Sequence, residues 1–584
     1  MNEQAVPRPE HPRPQAVRDA WQNLNGRWDF EMDEARDGAQ RQLHMADRLD
    51  GEIVVPFCPE SALSGIGRTE FLPPLWYRRS FMLPEAWRGQ RVLLHFGAVD
   101  YECRVWVNGQ PVGAHRGGYA PFTFDITNAV RWDAPNNLVV HAQDDTTSRL
   151  QPKGKQSERP ESYGCHYTRV SGIWQTVWLE AVPQTYIRDF ALTPEWANGA
   201  LTVSARLAGG AQASELRLRA SADGRICGEA LVQCNGGWAS ARLPLSVIHP
   251  WALDDPFLYD LELELRNADG SRDMMRSYFG LRHIAIRGNA FTLNGQPIFL
   301  RQVLDQGYYP DGIYTAPSDD ALRRDVELGL AFGFNGARLH QKVFEQRYLY
   351  WADRLGYLVW GEFGDWGAEI NDPRVLARIL EEWLPVVRAT YSHPAVMGWC
   401  PANERHAGEY PDALRMLYAV TKELDPTRPV IDTSGYVHVV TDVYDVHDYD
   451  QDVARFRARY APLATGQEVN IYAEKGRDWD IPHAGQPFYV SEYGGIWWNP
   501  GQRDKVSWGY GGVEARPRNE EEFLARYRGL TEALLFNPGV CGFCYTQITD
   551  VEQEVNGLCT YDRRPKFPPE RIREINAQRA AIEK

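Results

Sequence analysis

Two glutamates in this sequence are placed to do chemistry. Glu404 follows Asn403 at the end of the apolar run VMGWCPANE, and Glu492 lies in the run FYVSEYGG. Both runs read as buried strands, so each carboxyl stands near a strand end. Two carboxyls facing each other across a pocket suit cleavage of a glycosidic bond. One protonates the leaving oxygen while the other attacks the anomeric carbon or activates water. The acid of such a pair needs a raised pKa, which burial and a neighbouring carboxylate provide. Other strand ends carry Arg338 and His340 (FNGARLH), Glu362 and Asp365 (after YLVWGEF), and His447, Asp448 and Tyr449 (DVYDVHDY). Neither His340 nor His447 belongs to an H-E-x-x-H, so no metal is expected, and no sequence pattern asks for a cofactor.

The elements that must hold these groups follow from the grammar of residues 287–584. Eight strand-like runs appear there: PIFLRQV, FNGARLH, YLVWGEF, VMGWCPANE, PVIDTSG, DVYDVHDY, FYVSEYGG and VCGFCYTQI. Most are followed by a helical period. In DALRRDVELGLAFG, Leu322, Val326 and Leu330 share one face, and Ser318 with Asp319 and Asp320 forms an N-cap and acidic first turn. Eight alternating units imply a (β/α)8 TIM barrel, whose active site lies at the C-terminal strand ends. A doubly wound sheet is the competitor, but no G-x-G-x-x-G follows the first run. Glu404 and Glu492 then sit on the fourth and seventh strands, facing across the mouth.

Two all-β segments precede the barrel. Residues 1–182 begin with a Pro-rich stretch, read as a loose arm to about residue 18. Alternating strands follow, with Asn108-Gly109 as a hairpin turn, in the manner of a jelly-roll β-sandwich. Residues 183–286 alternate at Leu201, Val203, Ala205 and Leu207 and at Leu261, Leu263 and Leu265, which suits an immunoglobulin-like β-sandwich. The net charge of −15 makes nucleic acid and anionic membranes poor partners. No run of apolar residues is long enough for a transmembrane helix, and the polar N-terminus lacks a signal-peptide core. Nine irregularly spaced cysteines fit a reducing, cytoplasmic setting. Cys541-Gly-Phe-Cys544 lies in an apolar run and reads as buried thiols. The 20 Trp and 28 Tyr offer flat faces for a sugar as well as for packing. A carbohydrate is the expected partner. The sequence sets no oligomeric state, and a homo-oligomer stays open.

The whole chain resembles glycoside hydrolase family 2, the family of β-galactosidases, β-glucuronidases and β-mannosidases. The resemblance rests on FGAVDYECRVWVNGQPVGAHRGGYAPFTFDIT and YTRVSGIWQTVWLE in the first segment and FGLRHI at the end of the second. In the barrel it rests on GFNGARLHQKVFEQRYLYWADRLGYLVWGEF, the Asn-Glu pair and SEYGG, all in family order. It implies Glu404 as general acid/base, Glu492 as nucleophile and Asn403 as donor to the sugar 2-hydroxyl. It implies Tyr449 as the residue holding the nucleophile, Arg338 beneath the carboxylates, and His340 and His447 at the sugar pocket. Trp366 and Trp498, with Trp497 and Trp508 as further candidates, stand in for a platform where the last strand carries Tyr545. Asp144 and Asp145, with the Gly154-Lys155-Gln156 loop, are expected to reach in from the first domain. Family glucuronidases bind the uronate with an Asn-x-Lys pair near the last strand; here Asn556 is followed at 558 by Leu. A retaining exo-β-glycosidase is therefore expected, β-galactoside first. β-Glucuronide, β-mannoside and α-L-arabinopyranoside stay open, Lys155 or Arg564 being the candidate cations for a uronate. The rival from another class is a non-catalytic carbohydrate-binding protein.

Overall fold

The computed structural model describes residues 6–583 apart from 211–213, 235, 407–410, 470, 472–480 and 500–506. The chain builds two β-sandwiches and a barrel in sequence order. In the first sandwich a four-stranded sheet runs Trp21–Asn23, Val177–Val182, Arg91–Phe96, Phe122–Asp125. It faces a six-stranded sheet ordered Gly51–Val55, Gly26–Met32, Leu75–Phe81, Asn136–Gln143, Glu102–Val107, Gln110–Arg116. Leu94, Phe96, Leu138 and Val140 fill the space between them. The hairpin at Asn108-Gly109 has both residues at positive φ, 52° and 77°, as a type I′ turn demands.

The second sandwich packs a three-stranded sheet (Tyr186–Glu195, Ala200–Ala208, Trp238–Pro244) on a four-stranded one. Leu201, Val203, Ala205, Leu261, Leu263 and Leu265 all point into its core, as their alternation requires.

The N-terminal stretch departs from expectation. Residues 6–18 are not a loose arm but a clasp across the domains. Arg8 is buried and bonds the Ala316 carbonyl at 3.2 Å and Glu345 at 2.9 Å in the barrel. Arg18 joins fully buried Glu180 of the first sandwich to Asp273 of the second, the latter at 2.8 Å. Charged side chains thus fix a segment whose composition gives it no secondary structure of its own.

The barrel strands Leu300–Asp305, Gly336–Leu339, Leu358–Glu362 and Val396–Cys400 are parallel neighbours in that order. On the other side of Leu300–Asp305 lie Val540–Thr546, Phe488–Gly494 and Tyr444–Asp448. The run PVIDTSG, expected as the fifth strand, closes the ring only through single bridges, Trp399 to Val430 and Asn403 to Ser434. Its polar residues explain this. Asp432 accepts the backbone N–H groups of Val439 and Val440, and such local bonds compete with a ladder. Helix Asp319–Ala331 is capped by Ser318, whose side chain accepts from the Ala321 N–H. It buries Leu322 and Val326 against the barrel and half-buries Leu330. Cys541 and Cys544 on the last strand are fully buried free thiols.

Candidate active site

Arg338, at the end of the second barrel strand, organises the floor of the barrel mouth. Its guanidinium is 1% exposed. It donates to Glu362 Oε2 at 2.7 Å, to Glu492 Oε1 at 2.9 Å, to the Ser491 carbonyl at 3.0 Å and to Asn403 Oδ1 at 3.1 Å. Three other strand ends are thereby tied to one planar cation, the geometry in which Arg outperforms Lys. Glu362 takes the rest of its bonds from the same strand end, with His340 Nδ1 at 2.8 Å and the Gln341 N–H at 3.0 Å. Burial and the charge of Lys155 hold His340 well below the ordinary imidazole range, so it is neutral.

Glu492 has both oxygens engaged, Oε1 by Arg338 and Oε2 by the Tyr449 hydroxyl. The Tyr449 ring stacks on Tyr510. Glu404 differs. Its backbone sits at φ 51°, held there by the Asn403–Ser434 bridge and by its own N–H donating to the Ser434 carbonyl at 2.8 Å. A left-handed glutamate is strained, and surrounding bonds must impose it. Its Oε1 lies 2.7 Å from His447 Nδ1. Among the described residues Oε2 has no partner, and it faces the opening, the side chain being 15% exposed.

An oxygen of Glu404, an oxygen of Glu492 and a nitrogen of His447 lie within 4.8 Å of one another. Burial works against ionising each carboxyl, but the bond and charge of His447 hold Glu404 below the usual range, helped by Lys155 and Arg338. His447 and Arg338 do the same for Glu492. Burial would likewise lower His447, yet Glu492 and Glu404 carry it above the ordinary imidazole value. The raised carboxyl expected from sequence is therefore not found: both carboxyls are held below the usual range, and the group whose hold on a proton is raised is His447, bonded to Glu404. The trio has the composition of a cation site, but Arg338 and Lys155 already bring positive charge to it, and a dication would compete with both.

Among the described residues Asn403 Nδ2 is buried without a partner, with Oδ1 fixed by Arg338. It is a donor left over for a ligand. Trp366 is at the rim, its Nε1 donating to the Asn403 carbonyl at 3.2 Å and its ring lying under Lys155 Nζ at 4.0 Å.

Two expected site residues lie elsewhere. Trp498 packs on Phe523 in the barrel core, its carbonyl taken by Lys566. Asp144 stays inside the first sandwich, bonded to Gln151 at 2.6 Å, and burial raises its pKa to about 7. Of the other candidates, Trp497 lies under Arg516, Trp508 bonds the Gly164 carbonyl, and Tyr545 is fully buried against Tyr493 and Tyr527. Two residues escaped the sequence reading. Tyr510 supplies the flat face beside Tyr449. Glu554 is buried nearby, accepting from Tyr167 at 2.5 Å and from Asn556 at 2.9 Å. Neither stands at a regular strand end, the signal by which the others were found.

Three family models match in chain order: the sugar binding domain of the family 2 glycosyl hydrolases over residues 67–183, the Glycosyl hydrolases family 2 model over 185–282, and the family 2 TIM barrel domain over 284–507. The chain belongs to glycoside hydrolase family 2. As a family 2 member it is a glycosidase. It is similar to the β-glucuronidase of Paenibacillus borealis, 23% identical over 592 residues, 94% of this chain and 96% of that protein. It is also similar to the β-galactosidase of Thermoanaerobacter pseudethanolicus, 24% identical over 388 residues, 64% of this chain and 50% of that protein. Its fold matches the Lactobacillus rhamnosus β-glucuronidase structure with a TM-score of 0.78 at 20% identity, covering 97% of this chain and 98% of that one. At that identity the likeness speaks for the fold alone.

Proposed function

We propose that this glycosidase is a retaining exo-β-glycosidase that works by double displacement. The observation that carries the reading is the approach of Glu404 and Glu492 oxygens to within 4.8 Å. Retaining enzymes place their carboxyls about 5–5.5 Å apart, whereas inverting ones leave about 6.5–9.5 Å for a water. Glu492, oriented by Arg338 and Tyr449, attacks the anomeric carbon. Glu404 Oε2 delivers the proton to the leaving oxygen, and His447 supplies that proton to the pair. Glu404 then takes a proton from water, whose oxygen releases the sugar from Glu492. Asn403 Nδ2 donates to the 2-hydroxyl. Loops of the first sandwich wall the mouth, Trp508 and Gln553 reaching the Gly164 carbonyl, which supports a blind pocket for a terminal sugar. The complete carboxyl pair and its partners speak against a non-catalytic binding protein.

For the sugar two readings stand: Leu558, apolar and fully buried two positions after Asn556, speaks for a neutral β-galactoside. The names of the relatives favour β-glucuronide as a second reading. A panel of 4-nitrophenyl glycosides, with proton NMR of the first anomer released, tests the whole reading. Release of the β-anomer from a β-glycoside is expected. Release of the α-anomer would refute double displacement.

A further inference from the structure

Lys155 lies on a first-domain loop that leans on the barrel. The Lys153 N–H donates to the Trp366 carbonyl at 2.9 Å and the Gly154 N–H to the Gly364 carbonyl at 3.0 Å. Gly154 is left-handed at φ 58°, and a Cβ there would come within 2.1 Å of the Gln341 carbonyl oxygen. Only glycine lets the loop sit this close. The loop delivers Lys155, 6% exposed, onto the face of Trp366. Trp366 itself bonds the backbone of Asn403, so the ammonium stands beside the catalytic carboxyls without bonding either.

The other buried lysines use their ammonium groups fully. Lys153 bonds Glu158 at 3.0 Å and the Thr146 carbonyl at 2.9 Å. Lys342 bonds the carbonyls of Gly307 and Tyr314. Lys566 bonds Asp550 and the Trp498 carbonyl, each at 2.6 Å. Lys155 Nζ has no oxygen partner among the described residues, only the Trp366 ring. A buried charge left without a hydrogen-bonding counterpart is costly, and an anionic ligand group would complete it. The alternative cation from the sequence, Arg564, is paired with Asp562 at 2.8 Å with 78% of its side chain exposed. Lys566 is spent, and position 558 is Leu. Burial works to discharge Lys155, but the Cys165 thiol and then Glu554, Glu404 and Glu492 hold it above the ordinary lysine range. It is charged at neutral pH.

We propose that Lys155 is the specificity-determining residue of this site and that it reads the carboxylate of a terminal β-hexuronide. The inference rests on the exo-glycosidase reading for its substrate and selects β-glucuronide over β-galactoside. Lys155 supplies the cation from a first-domain loop, which leaves Leu558 free to be apolar.

The test compares wild type with K155M and K155R on 4-nitrophenyl β-D-glucuronide and β-D-galactoside. Wild type is expected to prefer the glucuronide. The glucuronide-to-galactoside ratio of kcat/KM should fall about 100-fold in K155M, the scale of losing one charged hydrogen bond, with partial recovery in K155R. An unchanged ratio, or a wild type that prefers galactoside, overturns the proposal. Calorimetric binding of D-glucuronate and D-galactose needs no turnover and separates the two readings. Selective loss of glucuronate binding in K155M supports Lys155 even where double displacement fails, and equal binding by both proteins refutes it.

Discussion

His447 Nδ1 lies 2.7 Å from Glu404 Oε1. Because His447 is held above the ordinary imidazole pKa and Glu404 below the ordinary carboxyl range, the proposed mechanism keeps its catalytic proton at this contact. The sign follows. Below the pair's pKa the proton is present and the leaving oxygen can be protonated; activity falls as pH rises through it. In wild type the basic limb of kcat/KM should lie above about 6.5, the free imidazole value. His447→Gln keeps a hydrogen-bonding side chain but leaves Glu404 to hold its own proton. The basic limb should move down by more than about one pH unit, toward carboxyl values. An unmoved limb would show that the proton comes from elsewhere.

The two glutamates should fail differently. Glu492→Ala should abolish turnover on every glycoside, since no other carboxyl reaches the anomeric carbon. Glu404→Ala should cost far less on 2,4-dinitrophenyl glycosides, whose leaving group needs no proton, than on methyl glycosides. Azide should then speed the second step and give a glycosyl azide. General acid catalysis is worth about 10²–10⁴-fold, so the gap between leaving groups should fall in that range. Equal losses on both substrates would remove Glu404 from the acid role.

These assignments were legible in the sequence because Arg338, Asn403, Glu404, Tyr449 and Glu492 all stand at or beside the ends of apolar runs. A barrel brings such ends together whatever lies between them. Glu554 and Tyr510 reach the same place from loops, and nothing periodic in a loop says where it lands; Lys155, also on a loop, was expected there only through the family resemblance. The clasp of residues 6–18 was illegible for a related reason. Arg8 and Arg18 find partners as far along the chain as Glu345 and Asp273, and local composition reports only the absence of a helix or strand. Trp498 and Asp144 show the converse. Their residue types suit a sugar pocket, but Trp498 packs into the barrel core and Asp144 is taken by Gln151 in its own domain.

Arg338 should matter to folding as well as to chemistry. Arg338→Met strands Glu362 and Glu492 as buried carboxylates. Removing one partner of such a pair costs about 3–5 kcal/mol. The variant is expected to melt well below wild type and to lose activity. Adding Glu362→Gln removes one stranded charge, so R338M/E362Q should regain part of the melting temperature while staying inactive. Recovery of neither would argue that Arg338 does not neutralise Glu362.

Asn403 carries a narrower prediction. Its Nδ2 is a buried donor without a protein partner among the described residues, and the proposed mechanism gives it to the sugar 2-hydroxyl. Contacts to that hydroxyl strengthen in the transition state and supply several kcal/mol. Asn403→Ala should reduce kcat on a 2-hydroxyl substrate by about 100-fold or more. On the matching 2-deoxy glycoside the same change should cost much less. A uniform loss on both would place Asn403 in support of Arg338 and not at the sugar.

His438 gives a stability prediction away from the chemistry. Its Nδ1 lies 2.8 Å from Asp432 Oδ1 and its Nε2 2.8 Å from the Asp445 carbonyl, stapling the irregular fifth segment to the sixth-position strand. Burial opposes its charge, but Asp432 and then Asp445 raise its pKa to about 9. In the unfolded chain the value returns to about 6.5. A folded pKa above the unfolded one means stability that is fully present below about pH 6.5 and is lost as pH rises through about 9. A shift of this size corresponds to on the order of 3 kcal/mol. His438→Gln should therefore melt lower than wild type at pH 6, with the gap narrowing steadily up to pH 9.5. Melting curves of both proteins across that range check it. A gap that does not change with pH would mean that His438 folds as the neutral imidazole, and that the staple is an uncharged hydrogen bond.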